Sequence, residues 1–226
     1  MRVVAPAVNQ VKSKLFLLIP FWAAAVGGGL HSLMVYKGKA GSFGETPGSW
    51  ATNAVVTLIG DKPNLVMFAH PQCPCTKASL AELELLAAKA KNRFHATVVF
   101  YEPTDTRDMT RTSLGRFEPS TWTNTPLVRL ARSIPGVLVA FDRDAALAKR
   151  FGAETSGHTV VYSSDGRLLF SGGITGSRGH SGFNAGYETV LNILNGAPAQ
   201  LSKGTAPVFG CDLFNPCTPS QTAKRN

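Results

Sequence analysis

The sequence predicts an α/β fold, a mixed sheet with helices on both faces, preceded by one N-terminal transmembrane helix. Three observations carry this. Short β-branched or apolar runs alternate with helical patterns between residues 54 and 151. Two further apolar runs then flank Ser164-Asp165-Gly166 in the manner of a hairpin, and a last helical stretch follows. Finally, Leu15 to Tyr36 is an uncharged stretch bounded by Lys14 and Lys37, and at about 1.5 Å per residue it matches a bilayer core of about 30 Å.

The elements follow in chain order. Residues 1–14 form a short N-terminus, 15–36 the membrane anchor, and 37–52 a Gly-, Ser- and Thr-rich linker. Pro20 and Gly27-Gly28-Gly29 weaken the anchor as an isolated helix, but both residue types are tolerated inside membranes. The competing reading is a cleaved signal segment ending at Ala23-Ala24-Ala25, although the apolar run continues to Val35. Arg2, Lys12 and Lys14 outweigh Lys37 and Lys39, which predicts a cytoplasmic N-terminus and a domain on the exported, periplasmic or extracytoplasmic side. A globular domain is expected over 53–200, with strands at 54–59, 64–69, 94–101 and 137–141. Helices are expected at 75–90, at 144–151, and from the cap Thr125 and Pro126 to Arg132. The hairpin spans 159–171 and the last helix 184–195, stopped by Gly196. Between strands, 102–124 is a long polar connection carrying Arg107, Arg111 and Arg116, and 201–226 is a loop-like tail with Cys211 and Cys217.

Composition excludes several classes. The 226 residues are 44% hydrophobic and only 16% charged, which no disordered chain matches, and 4 Cys are too few for a disulfide scaffold of this size. The formal charge is +9. Residues 1–39 hold five basic residues and no acid, so the rest has 18 basic against 14 acidic residues. The excess sits around the anchor, without the basic stripe and interleaved aromatics of a nucleic-acid interface.

The chemistry concentrates in His70-Pro71-Gln72-Cys73-Pro74-Cys75-Thr76, where a buried strand gives way to a helix. Amides and dipole at a helix start favour thiolate and lower a thiol pKa, and His70 and Lys77 add cationic neighbours. The segment NLVMFAHPQCPCTKASLAELELLAAKA resembles the strand, active-site turn and first helix of the thioredoxin-like superfamily, with a C-x-C in place of its C-x-x-C. Phe151-Gly152 through Thr159–Tyr162 and Asp165-Gly166 is similar to that fold's second half. A narrower likeness is to small membrane-associated RedB-type proteins, through Cys-Pro-Cys, Gly172–His180 and the tail Pro207–Cys211.

The resemblance implies a thiol–disulfide oxidoreductase without a cofactor, acting on disulfide- or thiol-bearing proteins. Cys73, at the exposed end of the turn, is expected to attack and Cys75 to resolve, with Pro74 between them and Cys211 an alternative resolving thiol. Cys211 and Cys217 equally suit a plain structural disulfide. One departure stands out: the family's cis-proline before the strand threonine is replaced by His158, so a trans backbone is expected there, with His158 able to face the cysteines. Two alternatives remain open. One is a Sco-like copper carrier using Cys73, Cys75, His158 and His180. The other is a non-catalytic thioredoxin-like interaction module.

Overall fold

A computed structural model describes residues 8–52, 55–103, 122–196 and 204–214. The chain divides into two compact units, Met1–Lys39 and Ala40–Asn226. Among the described residues the first holds one helix, α1 (Val8–Gly38), which runs on through Pro20. Its segment Leu18–Gly38 has 21 residues of mean hydropathy 1.5, long and apolar enough to cross a membrane.

The second unit is built on one six-stranded sheet. Its strands are β1 (Asn64–Ala69), β2 (His95–Glu102), β3 (Val137–Arg143), β4 (His158–Tyr162), β5 (Leu168–Gly173) and β6 (Gly204–Ala206). They lie in the order β3-β2-β1-β4-β5-β6. β1 pairs parallel with β2 and antiparallel with β4, β2 runs parallel to β3, and β4 and β5 form the hairpin read from Ser164-Asp165-Gly166. Central β1 is buried at all six positions, as a strand covered on both faces must be.

Alternation along the strands sends side chains to two cores. Leu65, Met67, Val98 and Val161 pack with α2 (Thr76–Ala90), α3 (Pro126–Ser133) and α5 (Ala185–Leu194) through Leu80, Leu83, Leu86, Val128 and Val190. Val66, Phe68, Val99, Val160 and Tyr162 pack on the other face with Phe151, Leu213 and α4 (Ala146–Arg150). Helices therefore cover both faces of a mixed sheet, the α/β architecture expected from the sequence.

Three expectations require correction. Residues 55–59 form no strand; Asn64 holds this segment in a turn, its Oδ1 accepting from the Ile59 N–H (3.0 Å) and its Nδ2 donating to the Ile59 and Lys62 carbonyls (both 2.9 Å). The β-branched run still buries Val56 in the second core, which is why it reads as a strand. The linker expected over 37–52 is, from Ala40, part of the domain. Gly41 N–H donates to the Val208 carbonyl, Gly44 N–H to that of Gly152 and Trp50 N–H to that of Gly166, while the Trp50 ring meets Phe151 and Tyr162 edge to face. The tail expected to be loop-like over 201–226 contributes β6, parallel to β5 through Phe170–Gly204 and Gly172–Ala206 pairs. Three residues, Gly-Thr-Ala, are too few to show a period.

Candidate active site

The carboxyl end of β1 runs into His70 and then a tight turn to α2. Cys73 N–H donates to the His70 carbonyl at 3.2 Å, Thr76 N–H to that of Cys73 at 3.0 Å, Lys77 N–H to that of Pro74 at 3.3 Å, and Ala78 N–H to that of Cys75 at 3.1 Å. The turn's own carbonyls thus take the amides that a helix start usually offers to an anion. Cys75 occupies the N-cap position with helical dihedrals (φ −67°, ψ −26°) and its side chain makes no capping bond.

The tail brings a third thiol to this turn. Ser156 N–H donates to the Cys211 carbonyl (2.8 Å) and Leu213 N–H to the Glu154 carbonyl (2.8 Å), an antiparallel ladder centred on the Thr155–Asp212 bridge. Val208 and Leu213 are buried on either side and anchor the segment. The Arg178 guanidinium donates to the Gly210 carbonyl. At Gly210 the backbone runs so close to Ser156 that an added Cβ would collide with its carbonyl oxygen. As a result the Cys73 and Cys211 sulfurs stand 2.7 Å apart, within hydrogen-bond reach and beyond the ~2.03–2.05 Å of a disulfide. The sulfurs of Cys73, Cys75 and Cys211 all lie within 4.8 Å of one another.

Two expectations about the cysteines change. Cys73 is wholly buried, while Cys75 and Cys211 are half-buried. The expected exposed attacker is therefore the most hidden of the three, its sulfur lying against Cys211. The expected lowering of a thiol pKa is reversed at Cys75: the neighbouring Cys211 and then Cys73 thiols, with burial, push it up. Crowded thiols lose protons as a set, and each charge formed opposes the next.

Ser156 ties the two cysteine-bearing segments together. Besides holding Cys211 through its N–H, its hydroxyl accepts from His70 N–H (2.9 Å) and shares a hydrogen bond with the Thr76 hydroxyl (2.8 Å). Thr76 in turn donates to the His70 carbonyl at 3.1 Å. Next to it Gly157, at φ +93°, donates its N–H to the Phe68 carbonyl, and a Cβ there would lie 2.7 Å from the Ser79 hydroxyl. In the sequence only the neighbouring His158 stands out, and nothing marks Ser156 or Gly157. The peptide bonds of the described residues are all trans.

The histidines lie elsewhere than the copper reading expects. His70 is buried; its Nδ1 accepts from Gln72 N–H (3.2 Å), and its ring stacks on Tyr101 and meets Trp122 edge-on. Buried His158 opens β4 with Nε2 on the Ser171 hydroxyl (2.9 Å), itself 2.7 Å from the Thr46 hydroxyl, and Phe43 stands edge-on at 5.3 Å. Its Nδ1 has no hydrogen-bond partner among the described residues, and burial pushes its pKa down to about 4. His180 is exposed, bridged to Ser177. Among the described residues the metal-competent cluster is the three cysteines, and neither His158 nor His180 belongs to it. Pro74 and Lys77 are exposed at the turn and on the first turn of α2. Cys217, Arg107, Arg111 and Arg116 lie outside the described residues.

No protein-family model matches the chain, and no curated protein matches it in sequence. Among solved structures, an uncharacterised conserved protein from Geobacillus kaustophilus is similar at a TM-score of 0.55 and 15% identity, over 80% of this chain and 98% of its own. A hypothetical protein from Sinorhizobium meliloti 1021 is similar at 0.53 and 18%, over 80% of this chain and 100% of its own. A secreted disulfide oxidoreductase from Mycobacterium tuberculosis is a more remote likeness, at 0.37 and 15%, over 62% of this chain and 84% of its own. At these identities the first two speak for the fold alone.

Proposed function

We propose that this chain is a membrane-anchored thiol–disulfide oxidoreductase, held by α1 with its domain on the exported side. The observation that carries the reading is the convergence of the Cys73, Cys75 and Cys211 sulfurs within 4.8 Å of one another at the head of α2. Burial divides their roles. Half-buried Cys211 accepts the Cys73 S–H and meets substrate, while buried Cys73 resolves. The Cys211 thiolate attacks a substrate disulfide, forming a mixed disulfide and releasing one substrate thiolate. Cys73 then gives up its proton and attacks the Cys211 sulfur. This closes a Cys73–Cys211 disulfide and releases the second thiolate, so two cysteines are oxidised as one substrate disulfide is reduced. Cys75, beside both, can exchange into that disulfide, forming a bond to one of the two sulfurs and releasing the other as thiolate, with no net reduction.

The test uses the detergent-solubilised full chain and a model disulfide without added metal. Cys73→Ser is expected to lower turnover at least ~100-fold and to trap substrate on Cys211, read by peptide mapping. Turnover unchanged in Cys73→Ser would end the oxidoreductase reading. Adduct on Cys75 would transfer the attacking role to that residue.

A further inference from the structure

We infer that Cys73, Cys75 and Cys211 together form a three-thiolate site for a soft monovalent metal ion, Cu(I), and that the Cys73–Cys211 disulfide and the bound ion exclude each other. Ion binding is a second activity of the same residues and does not depend on disulfide exchange occurring.

The geometry selects the ligands. Three sulfurs within 4.8 Å of one another can converge on one ion with small side-chain rotations, and they come from two segments that are already fixed. Cys73 and Cys75 sit on the hydrogen-bonded turn before α2. Cys211 sits on a tail held by its pairing to Glu154 and Ser156, by buried Val208 and Leu213, and by Arg178 at Gly210. The ligands are preorganised, and Ser156 touches both segments.

The donor set selects the metal. Thiolates favour soft ions, and structural zinc sites take four ligands in a tetrahedron. Among the described residues the cluster stops at three. His158 is committed to Ser171 and Phe43, and His180 is exposed beside Ser177. Three sulfurs, with no fourth ligand among the described residues, suit the low coordination number of Cu(I). Burial of Cys73 shields one side of such an ion, while half-buried Cys75 and Cys211 leave it a route in and out.

Mutual exclusion follows from electron bookkeeping. Binding converts thiols to thiolates with release of their protons and no change in oxidation state. Closing the Cys73–Cys211 bond removes two electrons and two protons from the same sulfurs, passed to a disulfide oxidant such as oxidised glutathione, which leaves as two thiols. A bonded pair of sulfurs no longer offers two thiolates.

The experiment titrates the reduced full chain in detergent with Cu(I) against bathocuproine disulfonate. One ion per chain is expected. Cys73→Ser, Cys75→Ser and Cys211→Ser should each weaken retention by roughly tenfold or more, with His158→Gln and His180→Ala unchanged. Chain oxidised beforehand with glutathione disulfide should retain none, and loaded chain should form the Cys73–Cys211 disulfide more slowly than unloaded chain. X-ray absorption on the loaded chain adds a readout independent of the variants: a sulfur-only first shell supports the site, and nitrogen in that shell overturns it. Full retention in Cys211→Ser, or loss in His180→Ala, also overturns it. A chain that exchanges disulfides yet yields all its copper to the chelator refutes the metal site and leaves the oxidoreductase reading standing. The opposite pair of results does the reverse.

Discussion

Helices α2 and α5 begin in opposite ways. At α5 the start is self-contained: Asn184 Oδ1 accepts from Tyr187 N–H at 2.8 Å, and Asn184 Nδ2 reaches the Gly182 and Ile174 carbonyls. At α2 the N-cap position holds Cys75, which caps nothing. That helix start is secured from a distance, by Thr76 and Ser156 on His70 and by Ser156 on Cys211. A capping side chain spends its polar atom on the backbone, whereas a thiol left out of the cap stays available for chemistry. The cost is that the site exists only when residues near 70, 156 and 211 have come together.

The strongest way to stress that distributed start is acid. The segment that carries Ser156 and Gly157 leads, at the start of β4, into His158, whose buried ring is tied to Ser171 and through it to Thr46. Its folded pKa of about 4 lies below the ordinary 6.5 because burial disfavours the charged ring. As pH falls from 6.5 towards 4, the unfolded chain takes up this proton first. Stability is therefore complete above about 6.5 and drains away through that window, by roughly 3 kcal/mol at the lower end. Urea midpoints against pH should show the slope in the parent and lose it in His158→Gln. Amide exchange should accelerate at Thr76–Ser79 before Tyr187–Val190; simultaneous loosening of both helices would mean that α2 is no more distributed than α5.

A smaller perturbation removes the tie itself. Ser156→Ala leaves the buried His70 N–H without its acceptor and the Thr76 hydroxyl without one of its partners. An unsatisfied buried donor costs about 1–3 kcal/mol. Because the Ser156 N–H remains, the tail stays paired while the turn shifts against it. Disulfide exchange should fall by roughly tenfold or more, since misplacing reacting atoms by a fraction of an ångström is expensive. Ser156→Thr, which keeps the hydroxyl, is the rescue. If exchange is untouched by Ser156→Ala while stability drops, Ser156 supports the fold only.

The same contrast explains what the sequence could and could not tell. Thr125 and Pro126, Asn184, Ser164-Asp165-Gly166 and the apolar run Asn64–Ala69 are local signals, and each element they announce is found where they place it. The Cys-Pro-Cys turn is equally local and marks the centre of the site. What surrounds it is not. That Cys73 is hidden, that Cys211 lies against it, and that Ser156 joins their segments all depend on pairings between residues far apart in the chain. Gly-rich 40–52 and the short β6 read as loops because their hydrogen bonds go to Val208, Gly152, Gly166 and β5, and no local period records such partners.

The smallest effect belongs to the self-contained start. Asn184→Ala removes the side-chain acceptor of Tyr187 N–H and both Nδ2 bonds, all of them local to the start of α5. Loss of such a cap costs about 1 kcal/mol. The perturbation stays near α5, whose Tyr187, Val190 and Leu194 keep the helix seated on the first core. Urea unfolding should therefore show a lower midpoint with unchanged m-value, while disulfide exchange by Cys73 and Cys211 proceeds at the parent rate. A fall in exchange matching that of Ser156→Ala would show that the cap at α5 also positions the thiols. Glu82 of α2 accepts from Gly182 N–H, so Glu82→Gln would then be expected to reproduce the loss. Parent-rate exchange in both variants separates a helix start that serves the fold from one that serves the chemistry.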